Sequence, residues 1–281
     1  MRAGGPRRIG GAWNPVNLSG AGGKRMISWA QRWRHEAARW AGDGADLLFP
    51  PRCQWCRSED APLRSGLCSR CIGGFVEDRP RCPRCGAPGQ AGALDRCVHC
   101  RREQPAWDGI LLLGAYADDL REAILTIKRP GSEHLAWSLA ALLVEKQQAA
   151  LAAIGVEGVV PVPMHWWRRA CRGTSDADEL ARAIARGIGA TVVPALVRAR
   201  ATRMQNELPA EDRGDNVAGA FRVRGTVAGR RLLLVDDVVT TGATLTACCR
   251  ALREAGAAAV HVAALAKADR LADAADQGER P

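Results

Sequence analysis

Nowhere in the 281 residues does an uninterrupted apolar run approach the ~18–20 residues that a membrane-spanning helix needs, so no bilayer span is expected. Residues 1–17 are basic but have no apolar core, so a secretory signal is not expected either. Acidic residues are scarce at the front: residues 1–42 hold one, against eight Lys and Arg. Residues 103–281 carry 22 of each sign, so the net charge of +10 belongs to the N-terminal part and not to the bulk of the chain. A nucleic-acid reading drawn from overall charge therefore rests on that front segment. What is present is ordinary for a soluble, cytoplasmic globular protein, with 47% hydrophobic and 25% charged residues. The length suffices for one sizeable core and a small second module.

Eleven cysteines in a short secreted chain would suggest disulfides. Here the chain is long, a signal is missing, and eight of them form four Cys-x-x-Cys pairs: Cys53/Cys56, Cys68/Cys71, Cys82/Cys85 and Cys97/Cys100. Each pair is a knuckle that offers two thiolates to one tetrahedral zinc ion, and two knuckles close a structural site. Eight ligands predict two structural zinc ions in a reducing compartment. The gaps between knuckles suggest one ribbon of 53/56/68/71 and a second of 82/85/97/100, with a cross-braced pairing as the alternative. With no open coordination position the metal is not catalytic. Such a module buries little apolar area, so metal binding supplies its folding energy. His99, inside the last knuckle, reads as spacer. Cys248 and Cys249 read as small buried residues of a helix.

Residues 1–25 lack periodicity and read as a disordered basic tail, with either Met1 or Met26 as start. Residues 26–48 follow as an amphipathic helix with Trp29, Trp33, Ala37 and Trp40 on one face. That stripe either packs on the rest of the protein or meets a membrane surface or partner. The ribbon module spans residues 49–105, an α/β domain 106–268, and a tail 269–281. Within the domain, strands are expected over 109–116, 156–162, 191–193, 232–235 and 258–265, and helices over 118–128, 133–153, 176–188 and 244–255. The first of these helices begins with an acidic cap. The polar stretch 199–220 reads as a long loop. Apolar strands alternating with helices imply a doubly wound, mostly parallel α/β sheet.

The densest chemistry lies at Leu232–Thr244. Four apolar residues bury a strand, after which Asp236 and Asp237 emerge where open α/β sheets bind ligands. The turn Thr240-Thr241-Gly242-Ala243-Thr244 then opens a helix whose free amides favour a phosphate. Gly242 permits close backbone approach and the threonine hydroxyls add donors. Two carboxylates would repel a phosphate beside them, but they suit the hydroxyls of a ribose diol.

This string resembles the 5-phosphoribosyl-1-pyrophosphate (PRPP) motif of type I phosphoribosyltransferases. The resemblance implies that Asp236 and Asp237 hold the ribose and that Thr240, Thr241, Gly242, Ala243 and Thr244 hold the 5′-phosphate. It also implies that Arg168 and Arg169, after the turn Pro161-Val162-Pro163, neutralise pyrophosphate, with Lys128 as a further candidate. The combination of cysteine ribbons, a Leu48-Phe49-Pro50-Pro51-Arg52-Cys53 entry and the PRPP motif resembles the ComF/GntX family over about residues 47–267. Supporting strings are Val160-Pro161-Val162-Pro163, Arg172-Gly173, Thr202-x-x-Gln205 and Arg213-x-x-Asn216-Val217 running on to Ala220-Phe221. Family members commonly follow Arg-Gly with an aromatic or aliphatic residue and Asn-Gln; here Thr174-Ser175-Asp176 stand there, which removes an amide pair from the expected substrate wall.

Two functions follow. One is transfer of a phosphoribosyl group from PRPP and Mg²⁺ to a nitrogen acceptor, with Arg200, Arg203 and Arg213 on a closing loop. The other is a non-catalytic PRPP- or nucleotide-sensing adaptor in DNA uptake. It would touch single-stranded DNA or a DNA-uptake helicase through Trp55 and Arg52, Arg57, Arg64 and Arg70. Either is compatible with an oligomer.

Overall fold

The computed structural model describes residues 52–60, 64–89, 97–102, 104–164, 175–198 and 219–269. The tail and tryptophan-striped helix expected over residues 1–48, residues 165–174 and most of the loop expected over 199–220 lie outside them. The described residues belong to one compact unit, Pro51–Pro281. Two short helices, α1 (Ser69–Phe75) and α2 (Val98–Arg102), carry Cys71 and Cys100 of the ribbons. The α/β part runs β1 (Ile110–Leu111), β2 (Gly114–Ala115), α3 (Asp118–Ile127), α4 (Glu133–Lys146), α5 (Gln148–Ile154) and β3 (Gly158–Pro161). It continues with α6 (Asp176–Ile188), β4 (Leu196–Arg198), β5 (Phe221–Val223), β6 (Arg231–Val239), α7 (Ala243–Glu254) and β7 (Ala259–Lys267).

The main sheet is parallel in the order β1-β7-β6-β3, with β2 also pairing with β7. Val192 adds a single parallel bridge outside β3, where a short strand is expected from the sequence. Strands β4 and β5 form a separate antiparallel pair. The centre of the sheet is β6, and its alternation assigns the two cores. Leu233 and Val235 join Val159, Ala263 and Leu265 on the face covered by α3, α4 and α6. Leu232 and Leu234 join Val160, Val262 and Ala264 on the opposite face, covered by α7. Both faces are dry, which is why this strand is apolar at successive positions and not at alternate ones. Cys248 and Cys249 are fully buried on α7, and burial pushes the Cys249 thiol up to about 12.

Four local expectations change. The strand over 109–116 is two short pieces, because the carbonyls of Leu112 and Leu113 accept from the Gln147 side chain at 2.9 Å and the Glu77 amide at 3.2 Å. The helix over 133–153 is divided at Gln147, the same residue that turns its amide toward Leu112. Helix α3 has Ala117 at its N-cap and no side-chain cap bond; Asp118 and Asp119 lie inside its first turn, where they still favour the helix dipole. Strand β6 continues to Val239, so the acidic pair lies within the sheet, Asp236 opposite Ala264 of β7.

Leu233 and Leu234 are fully buried on opposite faces. Alanine at either position should lower unfolding free energy by about 2–5 kcal/mol, read by denaturant titration.

Candidate functional site

Toward the carboxyl edge of the sheet, β3 ends beside β6, which runs on: Pro161 pairs with Val235, and the Val162 amide donates to the Val235 carbonyl at 2.9 Å. Asp236 and Asp237 follow directly. Each carboxylate turns back on the strand, Asp236 Oδ1 accepting from the Asp237 amide at 3.0 Å and Asp237 Oδ1 from the Val238 amide at 2.8 Å. The second oxygen of Asp237 meets Lys128 Nζ at 2.8 Å. Burial would lower the Lys128 ammonium; the Asp237 carboxylate overrides it and holds the lysine above its usual range. Burial pushes the Asp236 carboxyl well above the carboxylate range, and the neighbouring Asp237 charge adds to the shift. Asp236 is half-buried as a residue, and its charge acts on the fully buried Cys248 of α7.

Beyond Val239 the chain turns at Thr240–Gly242 and enters α7. Gly242 is the N-cap in the left-handed region at φ 75°, and no side chain caps the helix. The one local bond is long, from the Ala243 amide to Thr241 Oγ1 at 3.4 Å. An uncapped helix start beside threonine hydroxyls can donate to an anion. Gly242 is also pressed from behind: a Cβ there would lie 2.9 Å from Cη2 of Trp107. Glycine is thus required twice, by φ and by space.

The structure therefore brings Asp236, Asp237, Thr240, Thr241, Gly242, Ala243 and Thr244 into one strand–turn–helix unit, with Lys128 on the acidic pair. Arg168, Arg169, Thr174 and the loop arginines lie outside the described residues. Trp107 carries no sequence signal: it stands alone after the ribbons, in no motif. Lys128, named from the sequence as a further cation for pyrophosphate, lies at the end of α3 and pairs with Asp237.

The eight knuckle cysteines gather as two tetrads in sequence order, Cys53/Cys56/Cys68/Cys71 and Cys82/Cys85/Cys97/Cys100, each with sulfurs within 4.8 Å of one another. Sulfur separations are 3.7 Å for Cys56–Cys68 and Cys82–Cys100 and 3.6 Å for Cys85–Cys97. A zinc tetrahedron with arms of ~2.3 Å has edges of ~3.8 Å, so the donor set fits zinc and is too open for disulfides. Although burial opposes it, backbone amides of Cys68, Cys56 and Trp55 hold the Cys53 thiol down at about 6. The Cys100 amide and its neighbouring thiols likewise hold Cys97 at about 7 against burial. Burial and the neighbouring thiols push Cys71 of the first tetrad and Cys100 of the second the other way, and burial raises Cys85, so each tetrad holds one thiol poised to ionise beside others that resist it. His99 is exposed and belongs to neither tetrad. Among the described residues no helix is long and apolar enough to cross a membrane.

Comparison with known proteins gives two family matches: "Phosphoribosyl transferase domain" over residues 174–279 and "Double zinc ribbon domain" over residues 44–101. The chain is similar to the DNA utilization protein YhgH of Escherichia coli K12, 33% identical over 220 residues, covering 77% of this chain and 96% of that protein. It is likewise similar to competence protein F of Haemophilus influenzae, 32% identical over 228 residues, covering 79% and 99%. Among solved structures it is similar to adenine phosphoribosyltransferase of Saccharomyces cerevisiae, at 13% identity, 55% and 79% coverage and a TM-score of 0.31.

Two measurements follow from this geometry. Purified protein should contain two zinc ions per chain by atomic emission, and a chelator should strip them faster as pH falls, because thiolates take up protons. Asp236→Asn should raise Tm at neutral pH by a few degrees, about 2–4 °C per kcal/mol recovered. The sign follows from a folded-state proton affinity above the unfolded one. The carboxyl is harmless to stability below pH ~4, and its cost grows as pH rises toward the raised value. The gain from asparagine should therefore vanish below pH ~4 in thermal melts.

Proposed function

The chain belongs to the ComF/GntX family, and on that premise we propose that its α/β domain binds PRPP or another 5-phosphoribosyl group and transfers the sugar to a nitrogen acceptor. The observation that carries this reading is the juxtaposition, within β6 and the start of α7, of two carboxylates and an uncapped helix N-terminus. Asp236 and Asp237 accept hydrogen bonds from the ribose 2′- and 3′-hydroxyls. The amides and hydroxyls of Thr240–Thr244 receive the 5′-phosphate, where Gly242 lets the backbone come close. We assign the ribbons to residues 49–105 and the binding domain to 106–268, acting in the cytoplasm.

In the transfer step the acceptor nitrogen bonds to the ribose anomeric carbon as the bond to pyrophosphate breaks. The electron pair leaves with the pyrophosphate and the acceptor's proton passes to solvent. Mg²⁺, carried in with PRPP, offsets the charge of the leaving group. Arg168 and Arg169 add cationic charge at the same end. Lys128, which holds Asp237 in the free site, is freed when the ribose takes that carboxylate and becomes a third cation near the pyrophosphate.

A second reading keeps the binding but not the transfer: a PRPP-sensing adaptor in DNA uptake, contacting single-stranded DNA or a helicase. The names of the two relatives, DNA utilization and competence, favour it. Arg52, Arg57, Arg64 and Arg70 are exposed on the first ribbon. Trp55 is less available than the sequence suggests, since its ring packs edge-on against Phe75 at 5.8 Å.

Calorimetric titration with PRPP and Mg²⁺ should show binding to the wild type. Asp236→Asn/Asp237→Asn should weaken it at least ~10-fold, the scale of losing charge-assisted hydrogen bonds. Pyrophosphate release with some nucleobase or amine supports transfer. Binding without release supports the adaptor, and absence of binding refutes both.

A further inference from the structure

The Cys82–Cys85 knuckle does not hang free of the α/β domain. Three successive carbonyls of it accept from that domain: Pro83 from the Ile110 amide at the start of β1, Arg84 from Trp107 Nε1, and Cys85 from Lys267 Nζ at the end of β7, each at 2.8 Å. Gly86, next in sequence, is so close to the sheet that a Cβ would lie 2.7 Å from Leu112 Cδ1. Arg81, one residue before the knuckle, donates to the Gly86 carbonyl and pairs with Glu77 and with Asp269 beyond β7. The far side of the Trp107 ring is the surface on which Gly242 rests. The indole, only 6% exposed, therefore touches a metal knuckle at its nitrogen and the expected phosphate loop at its six-membered ring.

The first ribbon is placed differently. Its residues Cys53, Leu67, Ile72 and Phe75 join the core beneath α3 and α4, and its Gly66 abuts Ser138. Among the described residues no hydrogen bond or ion pair links it to residues 240–244.

We propose that the second zinc ribbon is a structural part of the phosphoribosyl site, with Trp107 as the positioning residue that carries the geometry of the Cys82–Cys85 knuckle to the phosphate loop at Gly242. The physical argument is one of rigidity. Carbonyls on a four-residue knuckle keep a fixed direction only while both cysteines are tied to one metal. When the tetrad opens, Trp107 loses its anchor and the loop loses the surface that fixes its left-handed glycine. The ordering cost of the loop then falls on ligand binding. Binding coupling is reciprocal, so a ligand on the loop should in turn hold the metal of this ribbon and not that of the other. The ligand side of this proposal rests on the phosphoribosyl reading above; the mechanical link between ribbon and loop does not.

The test uses the full-length zinc-loaded protein and a pulse of thiol alkylation under chelator, mapped by mass spectrometry. PRPP with Mg²⁺ should slow modification of Cys82, Cys85, Cys97 and Cys100 several-fold and leave Cys53, Cys56, Cys68 and Cys71 unchanged. Trp107→Phe should retain both zinc ions, weaken PRPP binding about 2- to 12-fold, the range for one lost hydrogen bond, and abolish the selective protection. Equal protection of both tetrads, or selective protection that survives in Trp107→Phe, overturns the proposal. A wild type that fails to bind PRPP refutes the phosphoribosyl reading instead. The link is then decided without ligand by hydrogen exchange, where Trp107→Phe should speed residues 240–246 and leave 231–235 unchanged. Unchanged exchange in the loop overturns it. Should Trp107→Phe not fold, Lys267→Met, which removes only the donor to Cys85, should shift loop exchange in the same direction, and no shift there overturns it as well.

Discussion

Strand β6 has no wet face, and most of the molecule follows from that. A parallel strand covered on both sides must be apolar at successive positions, so Leu232–Val235 is fixed between β3 and β7 with helices above and below. Polar chemistry can enter only where the strand runs out of cover. That is where Asp236 and Asp237 stand, just past the end of β3, with Asp236 opposite Ala264 of β7. Burial of Asp236 is the cost of this placement. Its carboxyl is pushed toward the protonated form by burial and by the charge of Asp237. Sites of this kind commonly trade stability for function.

The same edge collects charges of both signs. Lys128 answers Asp237 in the free site, and the threonine turn of α7 presents donors a few residues farther along. Each half would be poorly satisfied alone: a half-buried lysine needs its carboxylate, and an uncapped helix start needs an acceptor. Together they set carboxylates and unpaired helix amides a few residues apart on one strand–turn–helix unit. Behind this front the ribbons contribute differently. One extends the core under α3 and α4, and the other supports the turn through Trp107, so that the metal-organised part and the sheet-organised part form a single unit.

Much of this is legible in the residues. Helix 176–188 matches its sequence boundaries because Asp, Ser and Gly mark its ends. The eight cysteines pair as their spacing indicates. Where the reading from sequence departs from the structure, a hydrogen bond to a distant partner is the reason. The apolar run 109–116 is broken because carbonyls of Leu112 and Leu113 are claimed by Gln147 and Glu77. The long helix is divided at the same Gln147. Strand β6 runs beyond its apolar core because Val238 and Val239 still find partners in Ala266 and Lys267.

The sequence by itself determined the two zinc ribbons, the parallel sheet and the acid–threonine–glycine turn, because each is written in neighbouring residues whose spacing alone carries the geometry. Only the tertiary structure decided that Lys128 meets Asp237, that Trp107 lies under Gly242, and that the same Trp107 is bonded to the second ribbon. Those contacts join segments far apart in the chain. They depend on how the sheet stacks its strands, which no local periodicity encodes.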